Sequence, residues 1–305
     1  MRILVTGGSG FIGSHVVDQL VEHGHDVVIY DLEAPRYPSA GQFVRGDIRD
    51  VQRLSTTLNS TEIVYHLAAE ANVNRFYESP LYSNDVTAGG TLCVLEAGRI
   101  AGVGRVILAS TEWVYGTVPG AARQSITEDA PFAQDPDHLY TSSKIAAELF
   151  CRNYHRLYGV NYTILRYGIP FGERARRETV TPTFLLRLLR GQEITIHGDG
   201  SQARQFIYVR DLAAGNVAAL AAAAENQIFN INGREPITVR GIVTALEDIL
   251  GMTAKLRSVP DRVGDFGGRF ISSEKAQRLL GWEPKVEYRE ALARYVTWFR
   301  AEEGL

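Results

Sequence analysis

The run Ile3-Leu-Val-Thr-Gly-Gly-Ser-Gly-Phe-Ile-Gly13 joins a short β-branched segment to three spaced glycines, Gly7, Gly10 and Gly13. An apolar pattern of helical period comes next, over 11–23, so a strand turns on glycine into a helix, as in the opening of a βαβ unit. In that setting the first glycine permits the tight turn, the second lets backbone approach a pyrophosphate, and the third packs helix on strand. The helix N-terminus adds unpaired N–H groups and the positive end of its dipole. A second strand over 27–30 runs into Asp31, within reach of an adenosine ribose, where a carboxylate accepts hydrogen bonds from hydroxyls and repels a 2′-phosphate. This favours NAD over NADP. In the competing reading Asp31 only ends a strand and Arg36 meets a 2′-phosphate.

Outward from this unit, β-branched runs at 63–66, 106–109 and 162–166 alternate with helical patterns at 91–101 and 143–158. The alternation predicts an α/β fold, a doubly wound Rossmann sheet of six or seven parallel strands. After Arg166 the rhythm breaks into an arginine-rich loop over 172–177, a helix over 184–190, a strand over 194–197 and a loop over 198–205. A helix over 211–224 and a strand over 228–232 then return to the sheet, and helices over 239–250, 273–280 and 289–301 complete the chain. The expected division is a cofactor domain over 1–166, re-entered at 206–232, and a smaller mixed α/β substrate lobe made of 167–205 and 233–305. With 305 residues the chain has room for both.

A formal net charge of -3 leaves no basic surplus for phosphate backbones, which argues against nucleic acid as a partner. The N-terminal residues lack a signal-peptide pattern and no apolar run reaches membrane-spanning length, so no membrane partner and a cytoplasmic location are expected. The two cysteines, Cys93 and Cys151, read as buried small hydrophobes, and no histidine or cysteine spacing suggests a metal.

Tyr140-Thr-Ser-Ser-Lys144 places a phenol and an ammonium four residues apart on one helix face. A lysine beside the phenol is expected to lower its pKa towards neutral, so that the phenolate accepts a proton from a sugar hydroxyl while hydride leaves the same carbon. Thr111, at the end of the strand before it, is placed to hydrogen-bond that hydroxyl. His66 ends a strand and reads as packed beside the cofactor rather than catalytic.

Several segments occur in the order found in the extended short-chain dehydrogenase/reductase family: 5–15, His66-Leu-Ala-Ala69, Ser110-Thr-Glu-Trp-Val-Tyr-Gly116, Tyr140 to Lys144, 198–209 and Leu279-Leu-Gly-Trp-Glu-Pro284. The chain resembles that family's nucleotide-sugar epimerases and dehydratases over essentially its whole length. The resemblance implies that Tyr140 is the base, that Lys144 binds the nicotinamide ribose and that Thr111 is the hydroxyl partner; Glu112, next to it, reads either as a further acid or base or as a structural carboxylate paired with an arginine. It places Phe11, Ile12, Asp47, Ile48, Leu67, Ala68, Ala69 and Tyr167 with the glycines and Asp31 around NAD, Asp47 and Ile48 beside the adenine. A nucleotide diphosphate sugar, most simply a UDP-sugar, falls to Trp113, Thr179, Val180, Thr195, His197, Arg204, Arg262 and Asp265. Arg204 and Arg262 are the diphosphate ligands, suited by planar, permanently charged guanidiniums. The resemblance also implies a homodimer through the helices at 91–101 and 143–158.

Members share oxidation at C4 of the sugar and differ in the steps after it. Dehydratases usually carry an Asp-Glu pair after the threonine, decarboxylases often a glutamate at the second of those positions, and simple epimerases small residues. Glu112-Trp113 fits none of these, and an indole is no base. Ile169 and Thr87 likewise stand where asparagines are common, and the Arg174, Arg176 and Arg177 cluster suits a carboxylate, a phosphate or plain solvent. The expected reaction is 4-epimerisation of a UDP-hexose or UDP-hexuronate. Dehydration, decarboxylation or 4-keto reduction is the alternative. A non-catalytic NAD-binding regulator would lack the Tyr140/Lys144 pair.

Overall fold

Ile3, Leu4, Val5 and Thr6 are all fully buried, which requires a strand covered on both faces. The computed structural model describes residues 1–116, 125–260 and 270–305, so Arg262 and Asp265 lie outside the described residues. The first half runs β1 (Arg2–Thr6), α1 (Phe11–Glu22), β2 (Asp26–Asp31), β3 (Gln42–Arg45), α2 (Val51–Thr57), β4 (Ile63–His66), α3 (Val73–Glu78), α4 (Pro80–Asn84), α5 (Gly90–Ala101) and β5 (Arg105–Thr111). A π turn, Asp85–Gly89, leads into α5, and a 3₁₀ turn, Glu112–Tyr115, comes after β5. The second half runs β6 (Ser125–Ile126), α6 (Leu139–Tyr158), β7 (Asn161–Tyr167), β8 (Ile169–Phe171), α7 (Val180–Leu189), β9 (Glu193–His197), β10 (Ala203–Tyr208), α8 (Val209–Ala218), β11 (Gln227–Ile231), β12 (Pro236–Thr238), α9 (Val239–Leu250), β13 (Lys255–Val259), β14 (Phe270–Ile271), α10 (Glu274–Leu280) and α11 (Tyr288–Glu303).

Seven parallel strands form the main sheet in the order β11-β7-β5-β4-β1-β2-β3. Alternation along β1 sends Ile3 and Val5 to one face, against Val16, Val17 and Leu20 of α1. Leu4 goes to the other face, in the cluster that holds Val94 and Leu95 of α5 and Ala147 and Cys151 of α6. The strand order reverses between β1 and β4, and the crevice outside the carboxyl ends there is where such sheets bind ligands. A third apolar cluster gathers Phe171, Phe184, Leu188, Ile196, Phe206, Leu246, Tyr295 and Phe299 around the small sheet β8-β10-β12 and the pair β9-β13.

The structure departs from the sequence reading in several elements. The segment 198–205 is not all loop, because β10 starts at Ala203 and pairs antiparallel with β12, which puts Arg204 on a strand. The helix expected to run to Ala224 stops at Ala218, and the carbonyls of Leu220 and Ala221 turn to the buried guanidinium of Arg105, at 2.8 and 3.1 Å. Tertiary pairing of one cation thus overrides a run of alanines with high helix propensity. Strand β3 has no counterpart in the sequence pattern, being short, polar and at the sheet edge. Cys151 is buried as expected, whereas Cys93 is only partly so. Among the described residues no helix is long and apolar enough to cross a membrane.

Candidate active site

At the end of β1, Gly7 holds φ at +71°, and a Cβ there would lie 2.7 Å from the backbone nitrogen of Ala68. A Cβ on Gly13 would come within 2.1 Å of the Gly7 carbonyl oxygen. Only glycine permits both the turn and the approach of α1 to the loop. The N-cap of α1 is Gly10, no side chain caps the helix and no acidic residue enters its first turn. The N–H groups at the helix start, around Phe11, Ile12 and Gly13, are thereby left for an anion. The Asp31 carboxylate accepts from the backbone N–H of Ser9 at 3.0 Å, which ties the tip of β2 to the glycine loop. Arg36 points elsewhere, in an ion pair with Glu302 at 2.7 Å, so it is not the counterpart of a 2′-phosphate.

Leu67 and Ala68 are held against β1 by hydrogen bonds from their N–H groups to the carbonyl and hydroxyl of Thr6, and Ala69 comes next. His66 is buried between the hydroxyls of Thr6 and Thr91, at 2.8 and 3.1 Å. Burial and the nearby Lys144 charge push its pKa down to about 3, so it is a neutral packing residue. Ile48 is buried, its side chain lying where a Cβ on Gly90 would be. The Asp47 carboxylate is engaged by Arg49, which holds it below the usual range and also reaches Asp85. The Tyr167 phenol donates to Asn216 Oδ1 at 2.6 Å inside the core, which leaves its backbone as the part able to meet a cofactor.

The last three residues of β5 meet one face of α6. The Thr111 hydroxyl lies near enough to the Tyr140 phenol to favour its ionised form, and it accepts from the Trp113 N–H at 3.3 Å. Lys144 Nζ donates to the Ala109 carbonyl at 2.9 Å, and Ser110 Oγ donates to Glu148 Oε1 at 2.6 Å. Glu148 is fully buried and takes two further bonds from Arg166 of β7, at 3.0 and 2.8 Å. Tyr140 is enclosed by aromatic rings: Phe76 at 5.8 Å and Trp113 at 6.0 Å, both edge to face. Trp113 also leans on His138 at 5.5 Å, and His138 is bonded to the Tyr77 hydroxyl at 2.9 Å.

The lowered tyrosine pKa expected from the sequence is not what this arrangement produces. Burial pushes Tyr140 up to about 12, against the opposing pull of the Thr111 hydroxyl and the Arg176 charge, while Lys144 is turned to Ala109. Burial likewise brings Lys144 down to about 8, opposed by the Glu148 carboxylate. The phenol is therefore neutral in the protein alone.

Thr179 is the N-cap of α7, its hydroxyl donating to the Arg176 carbonyl at 3.0 Å, and Val180 opens the helix. Thr195 is drawn to Arg187 at 3.3 Å, His197 Nδ1 donates to the Pro260 carbonyl at 3.1 Å, and Arg204 Nη1 donates to the Ala203 carbonyl at 3.0 Å. Arg174 pairs with Asp18 and Arg177 with Glu303, whereas Arg176 makes no ion pair among the described residues. Sequence reasoning notes Ser110 only as the neighbour of Thr111 and misses Glu148, Arg166, Phe76, Tyr77 and His138. Of these only Glu148, one turn beyond Lys144 on the same helix face, carries a local signal.

The family model for the NAD dependent epimerase/dehydratase family matches residues 3–232. The chain belongs to that family. A UDP-glucose 4-epimerase of Mycolicibacterium smegmatis is 32% identical over 98% of this chain and 99% of its own length. The crystal structure of a UDP-glucose 4-epimerase from Thermotoga maritima with UDP-glucose superposes with a TM-score of 0.92 at 34% identity, covering 99% of this chain and 100% of the other. A dTDP-glucose 4,6-dehydratase from Streptomyces venezuelae with NAD bound gives 0.91 at 33% identity, covering 100% and 98%. This epimerase/dehydratase chain is thus an NAD-dependent enzyme of nucleotide sugars, and the glycine cradle, the open start of α1 and Asp31 fit that cofactor.

Proposed function

We propose that the chain is a 4-epimerase of a UDP-hexose or UDP-hexuronate that acts through a transient 4-keto sugar. The observation that carries this reading is the Thr111–Tyr140 hydroxyl pair beside Trp113. Two hydroxyls converge where one sugar hydroxyl has to be held and deprotonated, and no base stands at position 113 to take a second proton. Gly7, Gly10, Phe11, Ile12 and Gly13 hold the pyrophosphate of NAD, Asp31 the adenosine ribose, and Lys144 the nicotinamide ribose. Asp47, Ile48, Leu67, Ala68, Ala69 and Tyr167 line the rest of that site. Bound there, NAD would supply the hydride acceptor for the sugar carbon and the hydride that is given back to its opposite face. Tyr140 accepts the hydroxyl proton, assisted by the Lys144 ammonium, and gives it back.

The lobe made of 167–205 and 233–305, built on the third apolar cluster, takes the UDP group. Thr179, Val180, Thr195 and His197 hold the nucleoside side, and Arg204, Arg262 and Asp265 the diphosphate. Arg176 bears on the choice of sugar. It is close enough for its charge to lower Tyr140, and no carboxylate of the protein neutralises it among the described residues. A hexuronate carboxylate supplies the missing counter-charge. Half-buried Glu112 is the one acidic group beside Thr111 that would support dehydration instead.

Incubation of the purified chain with UDP-glucose, UDP-glucuronate and dTDP-glucose, with NMR of the products, tests the reading. Inversion at C4 without a change of mass is the expected result. A product lighter by one water or one carbon dioxide would sink it.

A further inference from the structure

We propose that Ser110 and Glu148 position the reacting pair, holding the end of β5 and the face of α6 in the register in which Thr111 meets Tyr140. This rests on the reading of Tyr140, Lys144 and Thr111 given above. Along α6, Tyr140, Lys144 and Glu148 recur every four residues on one face. Along β5, consecutive residues answer them: the Ala109 carbonyl bonds the ammonium and the Ser110 hydroxyl the carboxylate, and the Thr111 hydroxyl lies near the phenol. Slippage of helix against strand breaks all three contacts together, and the Ser110–Glu148 bond is the one that involves neither a reacting group nor the lysine. Arg166, directly across from Ser110 in the β5–β7 register, fixes the carboxylate from the third side with both oxygens engaged.

The same carboxylate acts on the lysine. Lys144 faces the neutral His66 from β4, the Ala109 carbonyl from β5, and Glu148 and Cys151 from its own helix, where burial keeps Cys151 a thiol. Among the described residues facing the lysine, Glu148 is therefore the anion that sustains its ammonium. Its other charged neighbours are Arg166 and, at 3.8 Å, Arg152.

Two variants separate the effects, with Tyr140→Phe as the control for the chemistry. Ser110→Ala removes the strand contact and leaves Glu148 paired with Arg166. It is expected to lower kcat about tenfold or more with KM within about twofold, as small misplacements of reacting groups do. Glu148→Gln keeps an acceptor for Ser110 but removes the charge. Calorimetric NAD affinity, expected to weaken in the wild type as pH rises through about 8, is expected to weaken at lower pH in this variant and at an unchanged pH in Ser110→Ala. A kcat within about twofold of wild type in Ser110→Ala, alongside a Tyr140→Phe variant that is inactive, overturns the proposal. So does an unmoved NAD profile in a folded Glu148→Gln protein. Should Glu148→Gln not fold, the Ser110→Ala kinetics decide alone. A wild type that binds NAD with the expected pH dependence, shifted in Glu148→Gln, but converts no nucleotide sugar overturns the epimerase reading and leaves the positioning role standing.

Discussion

In the proposed function Tyr140 serves the reaction and Arg176 the choice of sugar, and each is open to a single substitution. Replacing Tyr140 by Phe removes the phenol that lies near Thr111, and turnover is expected to fall roughly 10²–10⁴-fold, the usual weight of a positioned proton acceptor, when measured by coupled assay or NMR. Because this phenol lies near 12 in the protein alone, cofactor and substrate have to supply part of its activation, so difference absorbance should show it ionising only when both are bound. Replacing Arg176 by Leu is expected to lower kcat/KM for UDP-glucuronate by about 10- to 100-fold while leaving UDP-glucose within a few fold, since a hydrogen bond to a charged group contributes about 1.5–3 kcal/mol. Equal losses on both substrates would remove its selective role. His15, buried on α1 with its ring bonded to the Glu173 carbonyl, carries a different consequence. Burial lowers it from 6.5 to about 4. The unfolded chain then binds the extra proton between those values, so stability falls as pH drops from 6.5 to 4, by an amount on the order of 3 kcal/mol. Urea unfolding at pH 7 and pH 4.5 reads this loss, and a His15→Gln variant should show less of it.

At the scale of elements, legibility in the sequence tracks sequence distance. The glycine loop and the Tyr140/Lys144 pair are readable because their geometry is set by a turn and by one helix repeat, within which residue type and spacing determine which groups meet. The aromatic ring around Tyr140 is not readable, since Phe76, Trp113 and His138 come from separate segments and meet only after β4, β5 and α6 are in place. The Glu148–Arg166 pair is hidden for the same reason, and because a glutamate within a helix ordinarily faces water. A lowered phenol pKa is inferred from the lysine alone, and burial outweighs it. The tightness of the β1–α1 turn supports a sharper expectation. Gly13→Ala sets a methyl against two backbone atoms of the loop, at 2.1 and 2.8 Å, neither of which yields as a side chain would. A loss of about 3 kcal/mol in unfolding free energy and failure to bind NAD by calorimetry are expected together. Stability lost with NAD affinity intact would mean that the loop is not the phosphate site.

For the whole molecule, the outer surface of the α5 and α6 layer carries several exposed apolar side chains. Ile100, Leu149, Leu157 and Tyr158 lie open there, and Arg99 covers the Tyr158 ring at 5.4 Å. Two copies meeting on these helices would cover the patch with a self-complementary, two-fold contact. Sedimentation is expected to give a dimeric mass that Leu157→Glu reduces to that of the monomer; a monomeric wild type would remove the dimer. Strand β10 has a mechanical consequence. Its alternate side chains belong to different cores, Phe206 and Tyr208 to the third cluster and Ile207 to the cluster beneath α1. A strand embedded in two cores is expected to act as a shared beam, not a hinge, so that in the proposed enzyme access for a nucleotide sugar falls to the surrounding loops. Amide exchange along 206–208 should accordingly be among the slowest in the chain, unchanged by nucleotide, while the segment around Arg176 gains protection when substrate enters.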